Sequence, residues 1–582
     1  MKILARTGLL FLAFAIVGAC SRPAEQAVDD NATVNRLADR YVATVLARQP
    51  EIAYFTGLEA PAHDYLQDNS LSALAEWQAF EDELYAELAQ VNPDSLAQRE
   101  WVMWGALKEA LEASRGQRIC KAELWQGVNH MFSWHTAIAP LAARQPVETA
   151  DDKAAALRRW SSLPKLIDTE IANLEKGLAE GYSAPRAVAE AMLQQIERML
   201  TAPVEQSPLY AMAARADDEA FTAELEKLID GDIRASIQRY RDFLADSYIP
   251  QARDELAVTA LPDGEACYRA MLRGWTTLDR DPREVYELGE RTVKANTEYV
   301  LKLGKEWFGL DSIPGIVAHV NNARDNLFDS EEALVAHSRR IVEQAREQSA
   351  PMFLEMPAAP VVVEPFPEYQ RGSGRSSHYI PPGDADTPGE YRISLDFWQK
   401  ETVGNAEITA VHEAWPGHHL QISRALELKD QHDLLKLTGN SGYVEGWGRY
   451  AEHLAEEAGI YESRYAQISR RLWPARGMVA DPGLHLYGWT AEQTADYLAE
   501  AGRFSPEESK ALITRMAALP GQLTAYDSGA LVIFGLREEA ESKLGERFNL
   551  AEFHERVLEN GSLPLWQLQD HVRAWIDEQA GN

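Results

Sequence analysis

Three cysteines in 582 residues are too few for the disulfide frameworks that hold small secreted domains together. Positive charge is scarce too. The chain has 57 Lys and Arg against 90 Asp and Glu, a formal charge of −33. Phosphate backbones need a basic surface, so nucleic acid is excluded as a partner. There is no G-x-S-x-G elbow and no glycine-rich phosphate loop. The S-x-x-K match at Ser162–Lys165 lacks its S-D-N and K-T-G companions. No apolar run is long enough to span a bilayer, and no fixed-period repeat points to a solenoid.

What is present begins with a leader. Lys2 and Arg6 precede an apolar run from Leu9 to Val17, the pattern of a secretory signal. The ending Val17-Gly18-Ala19-Cys20 resembles a bacterial lipobox. That resemblance implies a signal peptide over 1–19, cleavage before Cys20 and lipid on that cysteine. Ser21 in place of aspartate is similar to the outer-membrane sorting pattern of enterobacteria. Residues 20–32 then read as a polar, lipidated tether. The expected location is the periplasmic side of a Gram-negative envelope, at the outer membrane, with the membrane a partner through Cys20. Cys120 and Cys267 could pair in that oxidising compartment, although their separation is not legible.

Hydrophobic content of 46%, 15 tryptophans and 21 tyrosines argue for a folded body. Most of it reads as helix. Val34, Leu37, Tyr41 and Val45 form a stripe over 33–48, and amphipathic runs follow at 73–90, 98–113, 153–179, 186–200, 216–246, 284–303 and 331–348. The texture changes between 355 and 396, where proline and glycine are dense. Strands are expected at Val361–Glu364, Ser377–Ile380 and Glu390–Leu395. Helical periodicity resumes from Ala406. The fold expected is mostly α, with a small β-sheet before the motif-bearing helix. It divides into an N-terminal helical region, 33–354, and a catalytic region, 355–582.

The chemistry centres on "HEAWPGHHLQ", His412–Gln421. A zinc hydrolase needs three protein ligands, an open position and a nearby base. His412 supplies a ligand. Glu413, about 100° further round the helix, supplies a base. The usual second histidine at i+4 would lie about 6 Å along the axis, but here i+4 is Pro416. His418 at i+6 falls on the wrong side of an ideal helix, and His419 at i+7 lies about 10.5 Å along. Pro416-Gly417 is a pair that distorts helices. A bulge of two residues there would bring His418 into the i+4 position; His419 is the alternative. The third ligand is sought in "GYVEGWGRYAEHLAEE", Gly442–Glu457, where Glu445 sits among Gly446, Trp447 and Gly448. Glu445, Arg449 and Glu452 share a helix face, while Glu452, Glu456 and Glu457 read as a solvated acidic face.

"HEAWPGHHLQ", "GYVEGWGRYAE", "FHERVLENGSLPL", "LPDGEACYRAMLRGWTT", "DPGLHLYGWTAEQ" and "PGQLTAYDSG" together resemble the bacterial family known as domain of unknown function 885. "VEGWGRYAE" is also similar to the zinc-binding block of gluzincin aminopeptidases, whose first glutamate maps onto Glu445. The resemblance covers most of the mature chain, with Pro482 where family members usually carry threonine. It implies a gluzincin-like, zincin body with one Zn2+ on His412, His418 and Glu445. It also implies an edge strand, "GEYRISL", that binds extended peptide, with "RSSHYIPPG" as its pairing partner.

Amide hydrolysis builds an oxyanion, so a donor near the metal is useful. Tyr526 and His485 are the candidates, His485 with Asp481 orienting it; a packed aromatic and a structural histidine are the alternatives. His378 and Arg375 could meet substrate termini. The reading is a lipid-anchored zinc peptidase acting on short or unfolded peptides in the periplasm. Glu413 would take a proton from the attacking water and pass it to the leaving amine. A zinc amidohydrolase on a non-peptide amide, or a non-catalytic metal- or partner-binding lipoprotein, stand as alternatives. Exo- or endo-action, residue preference and oligomeric state are not legible.

Overall fold

The computed structural model describes residues 29–367 and 376–581. The leader 1–19, the lipidation site Cys20, most of the tether and Arg375 lie outside them. The first helix, Asp30–Arg48, begins before residue 33 because the Asp29 carboxylate accepts the Ala32 N–H at 3.2 Å and caps it.

The described residues are mostly helical, with one three-stranded sheet. None of the helices is long and apolar enough to cross a membrane. The expected runs form helices, with two of them divided: 153–179 is Ala150–Ser161 and Leu163–Glu180, and 216–246 breaks after Ala216, where Asp217 is left-handed, and again at Gly231, which leaves helical geometry. Ser162 and Pro164 interrupt the first of these runs, Pro164 falling in the first turn of the second helix, where proline costs least. The apolar cores draw on both sides of residue 354. Leu278, Leu334 and Ile341 pack in one cluster with Tyr391, Val411, Trp447 and Phe553. The long helix Pro282–Phe308 packs against the helices Arg464–Leu472 and Arg476–His485.

Cys120 and Cys267 are joined in a disulfide, both buried, closing a sequence separation of 147 residues. Loop closure of that length restricts the unfolded chain, so reduction is expected to cost about 2–5 kcal/mol. Thermal unfolding with and without reductant checks this, and an unchanged midpoint would contradict it.

The sheet runs β1 (Val361–Pro365), β3 (Gly389–Ile393), β2 (His378–Ile380). β1 is parallel to β3 and β2 antiparallel to it, with Tyr379 opposite Tyr391. β3, the expected edge strand, is therefore central. The buried alternation of Gly389, Tyr391 and Ile393 fits a strand covered on one face. β2 is the edge that faces the motif.

The helix carrying His412, Val403–Glu413, starts on Thr402, whose hydroxyl accepts the Asn405 N–H at 3.2 Å. It is buried nearly all round. Its one buried carboxylate, Glu407, is satisfied by His337 Nε2 at 3.1 Å and the Ser463 N–H at 3.0 Å. The helix ends at Glu413, where Ala414 leaves helical geometry (φ −108°, ψ −102°) and the Trp415–Pro416 peptide is cis. A second helix, His418–Glu427, starts after Gly417. The two extra residues thus produce a complete break and restart, not the expected bulge. A Cβ on Gly417 would overlap the carbonyl oxygens of His412 and Val411, so only glycine lets the chain fold back this closely.

Candidate metal centre

Three elements bring the ligand candidates together. Breaking the first helix swings His418 back toward His412, and the two rings meet edge to face with centroids 4.6 Å apart. The helix Ser441–Glu457 carries Glu445. Its Trp447 donates its indole N–H to the Pro416 carbonyl at 2.9 Å, which ties the turn to this helix. Gly448 faces the His412 ring; a Cβ there would come within 2.6–3.0 Å of the ring atoms. His412 Nε2 and His418 Nε2 each lie 3.6 Å from the same oxygen, Glu445 Oε2. All three ligand atoms fall within 4.8 Å of one another.

These distances suit a metal better than direct hydrogen bonds. Two ligands at 2.0–2.2 Å from a tetrahedral ion stand about 3.4 Å apart, whereas a hydrogen bond would draw nitrogen and oxygen to about 2.9 Å. The donor set, two imidazoles and a carboxylate, is one that zinc takes at catalytic sites. The residues present therefore fit the ion.

His412 is held in the tautomer such a role needs. Its Nδ1 meets Glu452 Oε1 at 3.0 Å, leaving Nε2 for the ion. Glu452 in turn accepts from Arg449 at 2.7 Å, and Arg449 Nε lies 3.8 Å from Asp527. Glu452 is 3% exposed. The solvated acidic face expected here is therefore corrected at Glu452 and in part at Glu456, which is half-buried against Arg470 and Arg471, whereas Glu457 is exposed as expected and pairs with Arg537. A charged helix face looks wet only until its counter-ions, distant in sequence, are known. Replacing Glu452 with glutamine is expected to weaken zinc binding by about 10–100-fold. A competition titration with a chromophoric chelator reads this, and unchanged affinity would contradict it.

The charges are strongly coupled. Burial opposes a charge on His412, but Glu445 and Glu452 outweigh it and raise its pKa to about 9. Burial also opposes the charge on Glu452, yet Arg449 and His412 carry it down to about 2. Glu445 is held far below the usual carboxylate range by His412 and His418 despite burial. A raised histidine pKa means a proton is bound at neutral pH and must leave before metal enters. Zinc affinity is therefore expected to rise about tenfold per pH unit from neutrality toward pH 9, with a proton released. Calorimetry in buffers of differing ionisation enthalpy measures that proton, and binding without release would contradict it.

Glu413 points from the helix end toward β2. Its Oε2 accepts the Tyr379 N–H at 2.9 Å, and Oε1 has no hydrogen-bond partner among the described residues. The ligands, Glu413, Tyr379, His378 and Tyr526 line one cleft of about 460 Å³. Tyr526 reaches it on the helix Ala525–Leu544, which packs along the Glu445 helix. Burial first, then the Glu445 charge, raises the pKa of its hydroxyl, so it stays a donor.

Two expectations separate here. His419, the alternative ligand, points away: Nδ1 meets Tyr379 Oη at 3.0 Å and Nε2 the Ala359 carbonyl at 3.0 Å. Burial pushes its pKa down to about 4, so it is a neutral brace for β2. His485, expected as a catalytic donor, does not line the cleft. Its Nδ1 accepts from the Val258 N–H at 3.0 Å and its Nε2 donates to the Met516 carbonyl at 3.1 Å. Burial pushes it down to about 3. Asp481 does not orient it either, since it accepts from Tyr268 and the Gly521 N–H. His485 is a satisfied core histidine. Arg449 and Asp527 were missed; only the shared helix face of Glu445, Arg449 and Glu452 hinted at the first. A second cluster, His337, Glu407 and Glu462, also converges. Arg340 occupies it, on His337 Nδ1 at 2.6 Å and Glu462 at 2.9 Å, which makes it an ion-pair network.

The model of a family described as bacterial protein of unknown function (DUF885) matches residues 50–572. No curated protein matches the sequence. Among solved structures, a candidate lipoprotein from Colwellia psychrerythraea has a similar fold, with a TM-score of 0.83 at 22% identity over 94% of this chain and 99% of that one. A candidate lipoprotein of unknown function from Shewanella oneidensis is similar with a TM-score of 0.74 at 19% identity, over 92% and 99%.

Proposed function

Because the chain belongs to the bacterial protein family of unknown function DUF885, its activity must be read from its site, and we propose a zinc-dependent peptidase of the gluzincin kind. One observation carries this reading: a carboxylate outside the ligand cluster, Glu413, shares its cleft with three converging ligand atoms and accepts the outward N–H of the edge strand β2. A metal-binding module without turnover has no use for that carboxylate. His412, His418 and Glu445 would hold a zinc ion, which when bound would supply Lewis acidity to the site.

The chain's own residues do the rest. β2, an edge strand whose outward Tyr379 N–H is held by Glu413, would lie alongside an extended peptide. Glu413 Oε1 takes a proton as water adds to the amide carbonyl, and returns it to the nitrogen as the C–N bond breaks. The products are one carboxylic acid and one amine. Tyr526, kept protonated, donates toward the charge that develops on the carbonyl oxygen. A cleft of about 460 Å³ suits a peptide segment, not a folded surface. The leader ending at Cys20 and the likeness to two candidate lipoproteins support a lipid anchor at the outer membrane.

The test is incubation of the zinc-loaded protein with a mixed peptide library. Cleavage that chelator stops and zinc restores is expected. No cleavage of any peptide would overturn the peptidase reading.

A further inference from the structure

The cleft also holds two arginines that this chemistry leaves unused. Arg503 lies between the helices Ala491–Ala499 and Pro506–Ala518 and lines the cleft with Trp473 and Phe504. Its guanidinium carbon is 5.8 Å from the Trp473 ring and 5.7 Å from the Phe504 ring. Those rings meet edge to face at 4.9 Å. Contact with aromatic rings positions a guanidinium without consuming its N–H donors. Among the described residues no hydrogen bond or ion pair engages them.

Arg515, on the following helix, gives one amino group to Gln522 at 2.7 Å and lies 3.5 Å from Tyr526 Oη. Its Nε is buried without a partner. The acids of the cleft are already committed. Glu452 and Asp527 attend Arg449, Glu445 stands at the metal position and Glu413 beside it. Among the described residues lining the cleft, no spare carboxylate remains to receive a peptide's α-ammonium. Two cations that form no ion pair among the described residues do remain, on a wall shared with Tyr526, Arg503 meeting only the longer-range negative charges of Glu452 and Glu401, and a planar anion with two oxygens is what such forks bind.

Resting on the peptidase reading, we propose that Arg503 and Arg515 bind the free C-terminal carboxylate of the substrate, so that the enzyme trims peptides from their C-termini. The residues upstream of the scissile bond would lie along β2. Blocking the N-terminus would then cost nothing, and blocking the C-terminus would remove the anchor.

One peptide in three forms tests this: free acid, N-acetylated free acid, and C-terminal amide. With the zinc-loaded protein, both acids are expected to lose C-terminal residues at similar rates. The amide should be slower by about 10²-fold or more in kcat/KM. Arg503→Gln should raise KM for the acid far more than it lowers kcat and should erase most of the discrimination. The inactive Glu413→Gln protein provides a readout without turnover: calorimetry should show the acid binding about 10²-fold tighter than the amide. Equal cleavage of acid and amide, or the same internal fragments from both, would overturn the carboxylate site and leave the peptidase reading standing. Discrimination undiminished in Arg503→Gln would overturn the assignment to that residue. Failure to cleave any form, with no difference in binding, would overturn both.

Discussion

Glutamine in place of Glu413 is expected to leave one zinc ion bound and to slow peptide hydrolysis by about 10²–10⁴-fold, the contribution of a positioned general base. The substitution is nearly isosteric. Its carbonyl can still accept the Tyr379 N–H that Glu413 Oε2 now accepts at 2.9 Å, so β2 keeps its place. What is lost is the basic oxygen, and with it the proton transfer. The fall should therefore appear in kcat, with zinc content and peptide affinity little changed. Metal analysis alongside steady-state kinetics separates these quantities. Wild-type turnover in this variant would mean that Glu413 is not the base.

The second large effect concerns the metal itself. Glu445→Ala removes the one oxygen that faces both His412 Nε2 and His418 Nε2, and two imidazoles alone make a poor zinc site. Zinc affinity should fall by more than the 10–100-fold that follows loss of a supporting partner, and activity should fall to that of chelated enzyme. The histidines provide an internal comparison. His418→Ala should lose zinc in the same way. His419→Ala should keep it, because His419 is engaged by Tyr379 and the Ala359 carbonyl. Retention of zinc by His418→Ala and its loss by His419→Ala would reverse the assignment.

Much of this was legible in the sequence, and for identifiable reasons. Helices and the three strands follow from local periodicity and from proline and glycine, so they emerged close to their observed bounds. The convergence of His412, His418 and Glu445 was legible because Pro416-Gly417 announces a break and Glu445 sits in a small-residue context that allows close approach. The depth of that break was not, since a bulge and a full restart leave the same local signature. Only Gly417, packed against the His412 and Val411 carbonyls, distinguishes them. Long-range partners were the main blind spot. Glu452 looked like solvent-facing charge until Arg449 and His412 closed around it. His485 looked catalytic until the Val258 N–H and Met516 carbonyl took both its nitrogens. The central position of β3 likewise depends on β1, which pairs with it in parallel from 28 residues upstream (389 − 361).

The central claim is that His412, His418 and Glu445 hold a zinc ion. Anomalous diffraction at the zinc edge, on crystals of the zinc-loaded protein, tests it directly. The account predicts one strong peak about 2.0–2.2 Å from His412 Nε2, His418 Nε2 and a Glu445 oxygen. A peak only at His337, Glu407 and Glu462, or none at the triad, would contradict it.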